Sequence, residues 1–240
     1  MEKLNNLKIK IFADGADFET IKILNKKSYI KGFTTNPSLM KKAGVKDYKN
    51  FALELLKNVD EKPISFEVFS DDILEMQKQA EEIATWGKNV NVKIPITNTK
   101  KQSTLEIIEK LSSKGIICNI TAIFTINQLR GVVDVLDKST PAILSIFAGR
   151  IADTGTDPTD IMKKSIEISR SKNKSEVLWA STRETLNIFQ ADKIGCQIIT
   201  VPHSLLNKLD NLEKNLEDFS LETVKGFYSD AVSAGFKIKI

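Results

Sequence analysis

Eight short β-rich runs alternate along this chain with longer segments of helical periodicity, and that alternation leaves few folds open. Ile9 to Asp14 reads as the first strand, followed by a helix from Phe18 to Lys27 with Phe18, Ile21 and Leu24 on one face. Further strands are expected over Lys31 to Thr35, Ile64 to Phe69, Asn89 to Thr97, Ile116 to Phe124, Ala142 to Ile151, Glu176 to Ser181 and Gln197 to Val201. Helical patterns fill the intervals, with Thr99 and Gln102, and again Ser181 and Glu184, at the spacing of a capping box. Strands joined through helices pair in parallel with right-handed crossovers, as a closed barrel or an open doubly wound sheet. The first strand–helix turn, Asp14-Gly15-Ala16-Asp17, has neither GxGxxG nor a phosphate-loop lysine, so a nucleotide fold loses its main support.

The stretch Asn89 to Thr97 carries the sharpest local signal. Val90, Val92, Ile94 and Ile96 alternate with Asn89, Asn91, Lys93, Pro95 and Thr97, so a pleated strand puts them on opposite faces. Burial disfavours an ammonium, and a lysine so placed becomes a usable nucleophile toward carbonyls. Taken alone, the stretch reads first as an exposed strand with a solvated lysine. Other strands change that reading, because Asp14, Thr34, Glu67, Thr97, Asn119, Thr121, Ser145 and Ser181 also stand near strand C-terminal ends. Parallel strands are ordinarily apolar on both faces. In a barrel those ends converge on one mouth, where barrel enzymes keep their chemistry. The expected fold is therefore a single (α/β)8 TIM barrel spanning residues 1–240, with an extra helical tail over about 204–240.

Composition narrows the function classes. The 35 basic and 31 acidic residues are mixed along the chain, so nucleic acid is not an expected partner, whereas an anionic small molecule fits. Cys118 and Cys196 are far apart and form no CxxC, which suits a reduced, cytoplasmic protein. The opening MEKLNNLKIK has no signal-peptide apolar region, and no run is long enough for a membrane span. His203, the only histidine, follows a strand and a proline, where a loop or cap role is the default.

Two motifs, Gly32-Phe33-Thr34-Thr35-Asn36-Pro37-Ser38 and Val92-Lys93-Ile94-Pro95-Ile96-Thr97, resemble those of the transaldolases and the related fructose-6-phosphate aldolases. Asn119-Ile120-Thr121-Ala122, Ser145-Ile146-Phe147-Ala148-Gly149-Arg150 and Ala180-Ser181-Thr182-Arg183 match in the same order. The resemblance implies a Schiff-base enzyme that moves a dihydroxyacetone unit between sugar phosphates without metal or organic cofactor. It makes Lys93 the Schiff-base lysine and Asp14 the acid/base for carbon–carbon cleavage. Glu67 and Thr121 become the pair holding a water for proton transfer. Thr34, Asn36, Asn119 and Ser145 fall around the dihydroxyacetone hydroxyls, and Arg150, Ser181 and Arg183 at the phosphate. Physical chemistry agrees on the phosphate, since guanidinium forks match it and a helix start offers free amides.

The family holds Phe at position 147 and Glu at position 67 in transaldolases, and Tyr and Gln there in the aldolases; this chain has Phe147 and Glu67. The alternatives are an aldolase releasing dihydroxyacetone and a non-catalytic sugar-phosphate-binding barrel. Compact relatives often form rings through the tail, so the resemblance also implies a homo-oligomer, with the stripe Leu221, Val224, Phe227, Tyr228 as the contact. Departures from the family pattern stand at Ala13 and Gly15 on either side of Asp14, and at Phe33, Lys100 and Thr182.

Overall fold

The computed structural model describes residue 4 and residues 6–172 and 174–238, so residues 239 and 240 of the expected tail lie outside it. Eight parallel strands close into a barrel in sequence order: β1 Lys10–Asp14, β2 Ile30–Thr34, β3 Ile64–Glu67, β4 Val90–Pro95, β5 Cys118–Ile123, β6 Ala142–Ile146, β7 Ser175–Trp179 and β8 Ile198–Pro202. β8 pairs with β1 through Lys10 to Asp14, which removes both sheet edges. The (α/β)8 barrel expected from the alternation and the polar strand ends is the observed fold.

Before β8, among the described residues, these helices surround or extend the strands: α1 Phe18–Asn25, α2 Pro37–Lys42, α3 Tyr48–Asn58, α4 Ile73–Ala84, α5 Leu105–Ser113, α6 Ile126–Val135, α7 Ala148–Ala152, α8 Thr159–Ser169 and α9 Leu186–Lys193. Their starts are set by short polar caps: Asp17, Asn36, Asp47 and Asp72 each accept a backbone N–H of the first turn. Helix faces such as Ile107, Ile108 and Leu111 on α5 are buried, each such side chain contributing roughly 1.5–3 kcal/mol. On β4 every residue from Val90 to Ile94 is buried, so the strand is covered on both faces and its polar face is enclosed too.

Three expectations are corrected. The run from Ala142 does not stay extended to Ile151: β6 ends at Ile146 and Arg150 rides on α7. Thr99 and Gln102 form no capping box, because 98–104 is a loop folded on Asn98 and α5 starts only at Leu105. The true capping box is Thr125 with Gln128, at the start of α6. Lastly, α9 starts at Leu186, two residues after Glu184, and Ser181 sits in left-handed backbone (φ 63°) instead of capping it.

The chain divides into two compact units, one up to Leu206 and one from Asn207. The first carries the barrel and closes with α10, His203–Leu206. The second holds a 3-10 turn, Asn207–Asn211, and α11, Leu216–Ser233, whose residues are not buried. No described helix is long and apolar enough to cross a membrane.

Candidate active site

The strand register gathers the polar residues. Glu67 pairs in register with Lys93, Lys93 with Asn119, and Asp14 with both Thr34 and Pro202. A cavity of about 170 Å³ at this end is lined by Asp14, Thr34, Asn36, Lys93, Thr121, Ser145, Phe147, Arg150, Ser181 and Arg183, all singled out from sequence. Two further candidates stand behind the lining. Glu67 reaches it through Lys93, and Asn119 through Ser145.

Lys93 is 7% exposed, and its Nζ lies 3.1 Å from a Glu67 carboxylate oxygen while donating to the Thr35 carbonyl at 3.0 Å. Glu67 is held at its backbone by Tyr48, whose hydroxyl donates to the Glu67 carbonyl (3.0 Å) and accepts from its N–H (2.8 Å). Asp14 Oδ1 accepts from the Thr34 hydroxyl at 2.7 Å, and Thr34 also meets the Thr200 hydroxyl. Loss of hydration holds the Asp14 carboxyl above the usual carboxylate range, against the opposing pull of Lys93, the Thr34 hydroxyl and His203. Thr121 Oγ1 is buried in the lining with no hydrogen-bond partner among the described residues. After it, Ala122 takes left-handed backbone (φ 59°), where the register with β6 slips, a bulge beyond which Ile123 pairs with Ile146.

The donor side of the cavity is a chain of amides and hydroxyls. Ser145 Oγ donates to Asn119 Oδ1 at 2.6 Å, and Asn119 Nδ2 donates to Ser65 Oγ at 2.9 Å. Asn36 spends its side-chain oxygen capping α2 (3.0 Å to Leu39 N), which leaves its NH2 for a ligand. Phe147 packs against the core cluster of Phe12, Ile143, Leu178, Ala180 and Ile198, and its ring is 5.5 Å from that of Phe124.

At the mouth, the Arg150 guanidinium lies 5.4 Å over the Phe147 ring. Gly149 is required here: a Cβ at that position would fall 1.6 Å from the Ser181 carbonyl oxygen. Arg183 is held by Asp153 through Nε (3.0 Å) and a terminal nitrogen, an ion pair that lowers the Asp153 carboxyl below its usual range. The amides of Arg183 and Glu184 are not free for an anion as expected, since both donate to Asn187 Oδ1 (3.0 and 3.1 Å).

Sequence reasoning missed Thr182 and Thr200. Both line the cavity, and the Thr182 hydroxyl donates to the Thr200 carbonyl at 2.7 Å. Thr200 lies inside an apolar strand, so only cross-barrel register reveals it. Of the departures, Phe33 is wholly buried, and Lys100 lies in the exposed part of the 98–104 loop.

Comparison with known proteins places this geometry. The family model described as transaldolase/fructose-6-phosphate aldolase matches residues 11–238. A protein of Dehalococcoides mccartyi named "Probable transaldolase" is 37% identical over 203 residues, covering 84% of this chain and 90% of its own. Another of that name, from Thermoanaerobacter sp., is 35% identical over 231 residues, 96% of this chain and 100% of its own. A crystal structure from Burkholderia cenocepacia shares the fold at a TM-score of 0.59 and 13% identity, over 89% of this chain and 86% of that one. A closed barrel with an enclosed lysine among acid, hydroxyl and guanidinium groups, matched over most of its length, has one consistent assignment: the chain belongs to the transaldolase/fructose-6-phosphate aldolase family.

Proposed function

We propose that this enzyme is a transaldolase, moving a dihydroxyacetone unit from fructose 6-phosphate or sedoheptulose 7-phosphate to an aldose phosphate through a Schiff base on Lys93. The observation that carries the reading is the Lys93–Glu67 contact of 3.1 Å beside a cavity that Asp14 also lines. Lys93 attacks the ketose carbonyl; Glu67 and the unpartnered hydroxyl of Thr121 serve the proton transfers of carbinolamine formation and dehydration. The iminium then takes up the electrons of the breaking carbon–carbon bond while Asp14 accepts the hydroxyl proton. Ser145 and the Asn36 NH2 hold the dihydroxyacetone hydroxyls, with Asn119 fixing Ser145 from behind. Arg150 and Arg183 take the phosphate, which draws Arg183 from Asp153.

Phe147 favours transfer over release. A ring without a hydroxyl cannot orient water or donate a proton to the enamine, so the intermediate survives to meet an aldehyde. A mere binding barrel has no use for an amine enclosed beside a carboxylate. Borohydride reduction with fructose 6-phosphate tests the reading: a stable mass increase located on Lys93 is expected, and its absence rejects the Schiff base. The same reading places the enzyme in the cytoplasm in the non-oxidative pentose phosphate route. It also makes α11 the contact between copies of the chain, with Leu221, Val224, Phe227 and Tyr228 exposed for it.

A further inference from the structure

Asp14 borders two cavities. Besides the one at the barrel mouth, it lines a second of about 330 Å³ together with Asp17, Lys42, Pro202, His203 and Ser204. His203 is the only histidine of the chain. Its ring lies over the residue after Asp14 so closely that a Cβ on Gly15 would stand 2.3 Å from Cε1 and 2.4 Å from Nε2. Glycine at 15 is thus what admits the imidazole. Once seated, the ring has its Nε2 buried without a hydrogen-bond partner among the described residues. Simple space-filling does not account for that, since an apolar ring would fill the place without stranding a nitrogen.

The charged groups facing this imidazole come from three elements. Asp14 ends β1, Asp17 caps α1 and Lys42 ends α2, all lining the same cavity. Loss of hydration lowers the imidazole below its ordinary range, and Asp14, then Asp17, oppose that fall. Reciprocally, His203 opposes the upward displacement of Asp14.

We propose that His203 is a positioning residue for Asp14, seated on Gly15 in the second cavity and setting the pH range over which that carboxylate can accept the donor's hydroxyl proton. The proposal rests on Asp14 acting as the acid/base in the reading above. It adds no chemical step: Asp14 takes a proton from the donor hydroxyl and returns it to the acceptor's new alkoxide. His203 acts only on the charge of the carboxylate.

A single histidine makes the test direct, because its ring-proton resonances in an untagged protein belong to one residue. Their titration is followed by NMR in the wild type and in Asp14→Asn. The imidazole should titrate lower in the variant; an unchanged titration overturns the proposal. In parallel, the acid limb of transfer should move to higher pH in His203→Gln while the borohydride adduct on Lys93 still forms. An adduct retained with an unmoved limb also overturns it. If the wild type forms no adduct, the Schiff-base reading fails instead, and the titration pair still decides whether His203 and Asp14 are coupled. Should His203→Gln not fold, the titration decides alone.

Discussion

The side-chain nitrogen of Lys93 stands 3.1 Å from the Glu67 carboxylate and 3.0 Å from the Thr35 carbonyl oxygen, on a residue only 7% exposed. The pair is built by register, since Glu67 and Lys93 face each other across β3 and β4. In the proposed mechanism this closeness makes Glu67 the group that serves proton transfer at Lys93.

Lys93→Met keeps the stem and removes the nucleophile. We expect a folded protein with no transfer and no reducible adduct. Its stability should drop by about 1–3 kcal/mol, because Glu67 loses a close partner. Denaturant titration and adduct mass together check this; substantial turnover in the variant would assign the nucleophile elsewhere.

Arg150→Ala and Arg183→Ala should each weaken phosphorylated substrates by about 1.5–3 kcal/mol, with unphosphorylated acceptors little changed. The KM ratio between the two acceptor types is the readout. Equal losses on both types would mean that the arginines act on structure. Arg183→Ala also frees Asp153 from its ion pair, leaving a carboxylate near the phosphate position, so it should be the more damaging.

Asp14 offers a stability signature independent of catalysis. Its carboxyl is raised by burial, so the folded protein holds that proton to higher pH than the unfolded chain does. Stability should therefore fall as pH rises from the ordinary carboxylate value through the raised one. Asp14→Asn removes this contribution. It should be inactive, yet gain in melting temperature relative to wild type at pH 8 and not at pH 4. The same difference at both pH values contradicts the burial argument.

The tail gives a prediction about assembly. Truncation after Asp218 removes Leu221, Val224, Phe227 and Tyr228, all exposed on α11. Sedimentation should show a lower mass with the barrel still folded. A full-length monomer would exclude α11 as the contact between copies.

The parts of this molecule that follow a local rule were legible in the sequence. β4 declares itself by strict alternation, and polar residues at successive strand ends mark the barrel mouth. What escaped depends on contacts between distant segments. Ala142 to Gly149 is apolar but for Ser145, so periodicity cannot show that the strand stops at Ile146 and that Arg150 turns on a helix. Asn187 takes the amides of Arg183 and Glu184 because α9 starts later than the Ser181–Glu184 spacing suggests. His203 reads as a cap from its neighbours alone; only the closure of β8 on β1 sets its ring on Gly15.

The most direct test of the central claim is consumption of fructose 6-phosphate measured with and without erythrose 4-phosphate, in wild type and in Phe147→Tyr. With Phe147 packed on the core and bare of any hydroxyl, the wild type should turn over rapidly only when the acceptor is present. The variant should release dihydroxyacetone at the expense of transfer, because a phenol there can supply the enamine with a proton. Equal wild-type consumption with and without acceptor would contradict the transaldolase reading and make the enzyme an aldolase.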